Sequence, residues 1–234
     1  MQAIILAGGR GRRLLPYTTI LPKPLMPVGD YSILEVILHQ LKYFGFDDIT
    51  ISTGYLHELI CAYLNNKKDT SPGIKFVHEE EPLGTIGPLH LVPHLDESFL
   101  VMNGDILTDI NYKELFAAHY RKKAIATIAT CSRDVNIDFG VLEHNPKMKI
   151  QTFREKPIYH FEVSMGIYVL NREILHFVPE NKPFGFDQLM YALTANKAEV
   201  YSYPYKGYWL DIGRPDDYER SIQEFEQNKD KFLK

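Results

Sequence analysis

Short runs rich in apolar and β-branched residues alternate along the first half of the chain with segments whose apolar residues recur every three or four positions. The runs are Ala3-Ile4-Ile5-Leu6, Ile49-Thr50-Ile51-Ser52, Ile74–His78 and Phe99-Leu100-Val101-Met102. Their brevity and β-branched content mark strands, the first and last of the kind a parallel sheet buries on both faces. Between the first two, Leu34, Ile37, Leu38 and Leu41 share one helical face. Asp30 or Ser32 can cap that helix, and Gly45 can close it. Leu56, Leu59, Ile60, Tyr63 and Leu64 supply the buried face of a second helix, and Asn111 with Glu114 opens a third through Tyr120. This rhythm predicts right-handed crossovers and a mostly parallel sheet with helices on both sides.

From Ala124 the pattern changes. Ala124–Cys131, Val141–Glu143, Ile150–Glu155 and Glu162–Val169 are rich in β-branched and aromatic residues, and Asn145-Pro146-Lys147 reads as a hairpin break. These predict mixed or antiparallel strands that build a second wall to a cleft. Helices are expected at about Arg172–His176 and Gly185–Ala195, the latter burying Phe186, Leu189, Met190 and Leu193. A short strand, Val200–Tyr203, follows. A last helix from about Asp216 buries Tyr218, Ile222 and Phe225, and the charged end beyond Glu226 is expected to fray. No linker interrupts the chain. The expected fold is α/β: a Rossmann-like, three-layer α/β/α domain over residues 1–234, with a mostly parallel central sheet and a second mixed-sheet lobe.

The stretch Gln2–Val28 concentrates the chemistry. The first strand breaks into Gly8-Gly9-Arg10-Gly11-Arg12-Arg13. Glycines let backbone N–H groups close around an anion, and guanidinium forks grip phosphate oxygens in pairs. Lys23 follows, held between Pro22 and Pro24 on what should be a stiff, extended segment that aims one positive charge. A glycine cluster alone is weak, since glycine turns commonly follow strands. Here no Gly-Lys-Ser/Thr follows it, and Arg13 occupies the sixth position where a dinucleotide-binding loop has glycine. Asp105 and Asp211 each interrupt an apolar strand end. Either one alone is as readily structural as functional. Together, beside a polyphosphate cradle, they suit Mg²⁺, which takes one or two carboxylates plus phosphate oxygens and water. His90 and His94 stand at helical spacing with Pro93 between them and no third ligand, so they read as structural.

Net charge is −4 and the pI about 6.1, so the arginines are a local feature on an acidic body. That excludes the broad basic field of a nucleic-acid binder and favours a small anionic ligand. The 2 cysteines, Cys61 and Cys131, are expected as buried, reduced residues in a cytoplasmic protein. No apolar run approaches the ~20 residues of a membrane helix, and no basic leader precedes the first strand.

The pattern G-G-x-G-x-R-L-x-P-x-T…P-K-P-x-x-P-V resembles the signature of the sugar-1-phosphate nucleotidyltransferases, or nucleotide-sugar pyrophosphorylases. Gly8, Gly9, Gly11, Arg13, Leu14, Pro16, Thr18, Pro22, Lys23, Pro24, Pro27 and Val28 carry it. The family usually has Thr where this chain has Arg12. Glu79–Gly87, with the form E-E-P-L-G-T-x-G-P-L, is similar to the segment of mannose-1-phosphate guanylyltransferases that reads the base. The resemblance implies a nucleoside triphosphate and a sugar 1-phosphate as partners, with nucleoside monophosphate transferred and pyrophosphate released. It gives catalytic roles to Arg13, on the β,γ-phosphates, and to Lys23, near the α-phosphate. It places Leu6, Ala7, Gly8, Gly9, Gly11, Arg12, Glu79, Pro82, Gly84, Thr85 and Asn103 at the nucleotide. Gly140, Glu155, Lys156, Ser164 and Gly166 fall at the sugar phosphate, and Mg²⁺ at Asp105 and Asp211. Guanine is modestly preferred, because a carboxylate such as Glu79 can accept from its adjacent N1–H and N2–H donors; against this, three consecutive glutamates usually form a solvated edge. Thymidylyl, cytidylyl or uridylyl transfer stays open, as does a non-catalytic sensor of nucleotide sugars, although every charged site residue is retained. The sugar and any homo-oligomer are likewise open.

Overall fold

The computed structural model describes residues 1–67 and 73–233. Its first half comprises β1 (Gln2–Ala7), β2 (Pro27–Val28), β3 (Tyr31–Ser32), α1 (Ile33–Tyr43), β4 (Asp48–Thr53), α2 (His57–Asn65), β5 (Ile74–His78), β6 (Ser98–Asn103), β7 (Ile106–Thr108) and α3 (Tyr112–Lys122). The second half comprises β8 (Ala126–Asn136), β9 (Val141–His144), β10 (Ile150–Arg154), β11 (Ile158–Asn171), α4 (Phe186–Ala195), β12 (Val200–Pro204), β13 (Trp209–Asp211), α5 (Pro215–Gln227) and α6 (Lys229–Phe232). No helix among the described residues is long and apolar enough to cross a membrane.

Seven strands form the central sheet in the order β12-β8-β11-β6-β1-β4-β5. All neighbours are parallel except β11, which runs antiparallel to both β6 and β8. The chain between β8 and β11 is not a helical crossover but the β9–β10 hairpin, so β11 returns antiparallel. The inner halves of β8 and β11 therefore join the central sheet. Only their outer halves and the hairpin extend beyond it as the expected second lobe, and their pairings are antiparallel rather than mixed.

Alternate side chains along β1 enter opposite layers. Ala3, Ile5 and Ala7 pack with α1, α2, α3 and α5, whereas Ile4 packs with Leu189 and Leu193 of α4. Ser32, rather than Asp30, caps α1: its Oγ accepts the Glu35 N–H at 3.2 Å, and Glu35 Oε2 accepts the Ser32 N–H at 2.8 Å. Gly45 closes that helix at φ 83, and Asn111 caps α3 by accepting from the Lys113 and Glu114 N–H groups.

Three expectations are corrected. Leu59 points to solvent, because Ile60 and Leu64 alone complete the buried stripe of α2. Lys23 opens a 3-10 turn, Lys23–Leu25, rather than lying on an extended segment: Pro22 is extended, and Pro24 fits the second position of the turn without needing its missing N–H. The chain beyond Glu226 does not fray. It folds into α6, whose Phe232 is fully buried and stacks on Phe225 at 5.9 Å. Cys61 and Cys131 are half-buried free thiols.

Candidate active site

The strand register brings the glycine loop and Asp105 to one rim. Leu6 of β1 stands opposite Asn103 of β6, and the Gly104 N–H donates to the Leu6 carbonyl at 2.9 Å. The chain after each strand thus leaves the sheet at the same edge, the C-terminal end where open parallel sheets bind ligands. Glycine suits this close approach, since a Cβ on Gly104 would lie 3.1 Å from the Leu6 carbonyl oxygen.

A small antiparallel pairing then delivers the second carboxylate. β13 pairs with β7 so that Asp211 faces Ile106, and the Ile212 N–H donates to the Asp105 carbonyl at 3.1 Å. Lys23 rises between the two aspartates from beneath the glycine loop. Its Nζ donates to Asp105 Oδ2 and lies 3.7 Å from Asp211 Oδ1. Arg13 flanks Asp211, and both side chains come within 3.4 Å of the point where a Cβ on Gly213 would sit. Burial pushes the Asp211 carboxyl above the usual carboxylate range, and the neighbouring Asp105 charge pushes it the same way, against the opposing pull of Lys23 and Arg13. Asp105 Oδ1 is buried without a hydrogen-bond partner. One lysine does not saturate two acceptor-only carboxylates, so the pair has lone pairs to offer a further cation. Among the described residues no group of three His, Cys, Asp or Glu could hold a metal. The donor set therefore fits a hard ion such as Mg²⁺ that completes its shell with phosphate and water, and does not fit an all-protein cage.

These groups border a cavity of about 450 Å³. Every residue expected at the nucleotide lines it: Leu6, Ala7, Gly8, Gly9, Gly11 and Arg12 from the first loop, Glu79, Pro82, Gly84 and Thr85 after β5, and Asn103 at the end of β6. Arg13, Lys23 and Asp105 line it too, with Asp211 beside them. Arg10 does not; its guanidinium lies over the Tyr55 ring at 5.9 Å. Of the three glutamates, only Glu79 turns inward, while Glu80 and Glu81 are exposed. Leu14, Pro24, Gly104 and Gly213 also line the cavity. Leu14 and Pro24 belong to the signature in the sequence without having been assigned to the nucleotide, while Gly104 adjoins Asp105 and Gly213 lies two residues after Asp211.

The residues expected at the sugar phosphate lie outside this cavity. Gly140 and Glu155 meet at the base of the β9–β10 hairpin, where a Cβ on Gly140 would come 3.2 Å from Glu155 Oε2. Lys156 is exposed beside them at φ 42. Ser164 sits at the irregularity of β11, its Oγ accepting the Gly166 N–H at 3.3 Å. Gly166 backs directly onto the cavity: at φ 71, its missing Cβ would stand 2.6 Å from Asn103 Nδ2. His90 is structural, bonding the Val178 carbonyl at 2.8 Å.

The nucleotidyl transferase family model matches residues 2–228. The chain is 33% identical over 231 residues to a mannose-1-phosphate guanyltransferase of Candida albicans, and 34% identical over 230 residues to that of Schizosaccharomyces pombe. Each alignment covers 93% of this chain and 62% of the relative, so the chain spans less than two thirds of those proteins. Among solved structures, HddC from Yersinia pseudotuberculosis superposes with TM-score 0.74 at 26% identity, covering 96% of this chain and 99% of that one. The same protein complexed with GMP-PN superposes equally well, at 25% identity. With the glycine loop, the paired aspartates and the cavity they border, this match places the chain in the nucleotidyl transferase family.

Proposed function

We propose that this chain transfers GMP from GTP to a sugar 1-phosphate, giving a GDP-sugar and pyrophosphate, with residues 1–234 acting as one catalytic domain. The observation that carries the reading is the meeting of the glycine-arginine loop, Lys23 and Asp105 at one cavity, with Asp211 beside Lys23, from four separate parts of the sequence. The backbone of Gly8, Gly9 and Gly11 and the guanidinium groups of Arg12 and Arg13 bind the β,γ-phosphates. Lys23 directs its ammonium at the α-phosphate, where charge develops as the sugar-phosphate oxygen attacks in line and pyrophosphate leaves. Asp105 and Asp211 would hold Mg²⁺, which when bound neutralises phosphate oxygens. Glu79 accepts from the Watson–Crick edge of guanine. Glu155 orients a sugar hydroxyl and Lys156 the sugar phosphate, from the hairpin side, with Gly140, Ser164 and Gly166 shaping that wall. No covalent nucleophile is required.

Pyrophosphate release measured for GTP, UTP, TTP and CTP against a panel of sugar 1-phosphates tests this. Release is expected only when both substrates are present, fastest with GTP, and abolished by a divalent-metal chelator. If no pair releases pyrophosphate while nucleotide sugars still bind, the chain is a sensor and not an enzyme. If GTP is no better than the others, the base assignment falls and the reaction class survives.

A further inference from the structure

Glu79 leaves β5 with both carboxylate oxygens already engaged. Ser52, fully buried at the end of β4, donates its hydroxyl to Glu79 Oε1 at 2.9 Å, and the Leu83 N–H donates to Oε2 at 3.0 Å. The Glu79 N–H is itself tied to the Thr53 carbonyl at 2.8 Å. Gly8 presses on the same side chain, since a Cβ there would come 2.5 Å from Oε1. The following loop is clamped to the segment before α4. The Phe184 N–H donates to the Leu83 carbonyl at 2.8 Å, and the Ile86 N–H to the Phe184 carbonyl at 3.0 Å.

An ionised carboxylate only accepts, with about two lone-pair directions on each oxygen. Ser52 and Leu83 take one from each, and the remaining pair belongs to a side chain that lines the cavity. Two adjacent acceptors match a base edge with two adjacent donors. Guanine has that edge in N1–H and N2–H. Uracil and thymine flank a single N–H with carbonyl oxygens, and adenine and cytosine place a ring acceptor beside their amino group.

We propose that Ser52 is a positioning residue for base selection. It touches no substrate; its hydroxyl holds Glu79 in the one rotamer that presents both oxygens to guanine. This rests on the guanylyl-transfer reading. Without the hydroxyl, Oε1 is free to turn away and the preference for guanine weakens.

The test compares wild type, Ser52→Ala, Glu79→Ala and the double variant in the full chain. It measures kcat/KM for GTP and UTP at saturating sugar 1-phosphate, together with calorimetric binding of each nucleotide. Ser52→Ala is expected to lower the GTP:UTP ratio about tenfold, through the KM and Kd for GTP, with kcat within about threefold. In the Glu79→Ala background the same substitution should leave the ratio unchanged, because the side chain through which Ser52 acts is gone. A purely structural role would weaken both nucleotides alike. An intact ratio in Ser52→Ala, or an equal loss in both backgrounds, overturns the inference while leaving guanylyl transfer standing. A wild type with no preference for GTP overturns the reading beneath it.

Discussion

Replacing Lys23 with methionine separates the charge of this residue from its bulk. The stem packs under the glycine loop, with Cβ 3.5 Å from where a Cβ on Gly11 would lie, and methionine can fill that space. The lost ammonium leaves Asp105 and Asp211 facing each other, with side chains 20% and 41% exposed. Stripping the partner from a fully buried carboxylate costs about 3–5 kcal/mol. Water reaches Asp211 and screens it, which reduces the expected loss to about 1–2 kcal/mol, or about 2–8 °C in Tm for a chain of this length. The effect on rate should be larger. A preorganised charge aimed at the reacting phosphate is worth ~10²–10³ in kcat, about 3–4 kcal/mol. A thermal melt followed by circular dichroism gives the first number, and pyrophosphate release at 25 °C with both substrates saturating gives the second. A variant that melts as expected yet turns over within threefold of wild type would show that Lys23 serves the aspartates and not the reaction.

Two further predictions concern stability. Burial alone would push the Glu35 carboxyl up, but Lys67 at 2.8 Å, the Ser32 N–H and the Tyr63 hydroxyl outweigh it and hold the group below its ordinary value. A depressed folded-state pKa contributes stability that is complete above the ordinary glutamate value of about 4.3 and is lost as pH falls through the folded value. Glu35→Gln should therefore lower Tm at pH 7 by about 4–8 °C, for a loss of roughly 2 kcal/mol, with the gap to wild type closing on acidification; a gap independent of pH would refute the assignment. Phe232→Ala empties a fully buried site against Phe225 and Tyr208. It should cost about 3–4 kcal/mol and lower Tm by about 6–16 °C, whereas a fraying end would leave Tm unchanged.

Local physics made much of this molecule legible from its residues. Short runs rich in β-branched residues and bounded by turns read as strands, so β1, β4, β5 and β6 were readable without coordinates, as was the α1 stripe closed by Gly45, whereas the place of β5 at the half-exposed edge of the sheet was not. The glycine loop stood out because glycines and arginines together after a strand suit an anion, although glycines alone would not have distinguished it from an ordinary turn. What sequence could not settle depends on contacts between distant segments. Asp211 is beside Asp105 because three residues of β13 pair with β7, and no periodicity encodes that register. Phe232 reads as one of two apolar residues, with Leu233, in a charged tail until Phe225 and Tyr208 offer it a surface. Ser52 reads as an ordinary strand residue until parallel pairing sets β4 beside β5 and brings its hydroxyl to Glu79. Short-range geometry along the chain specifies elements and loops. Which side chains share a site is decided by sheet order and register, set by burying all of those elements at once.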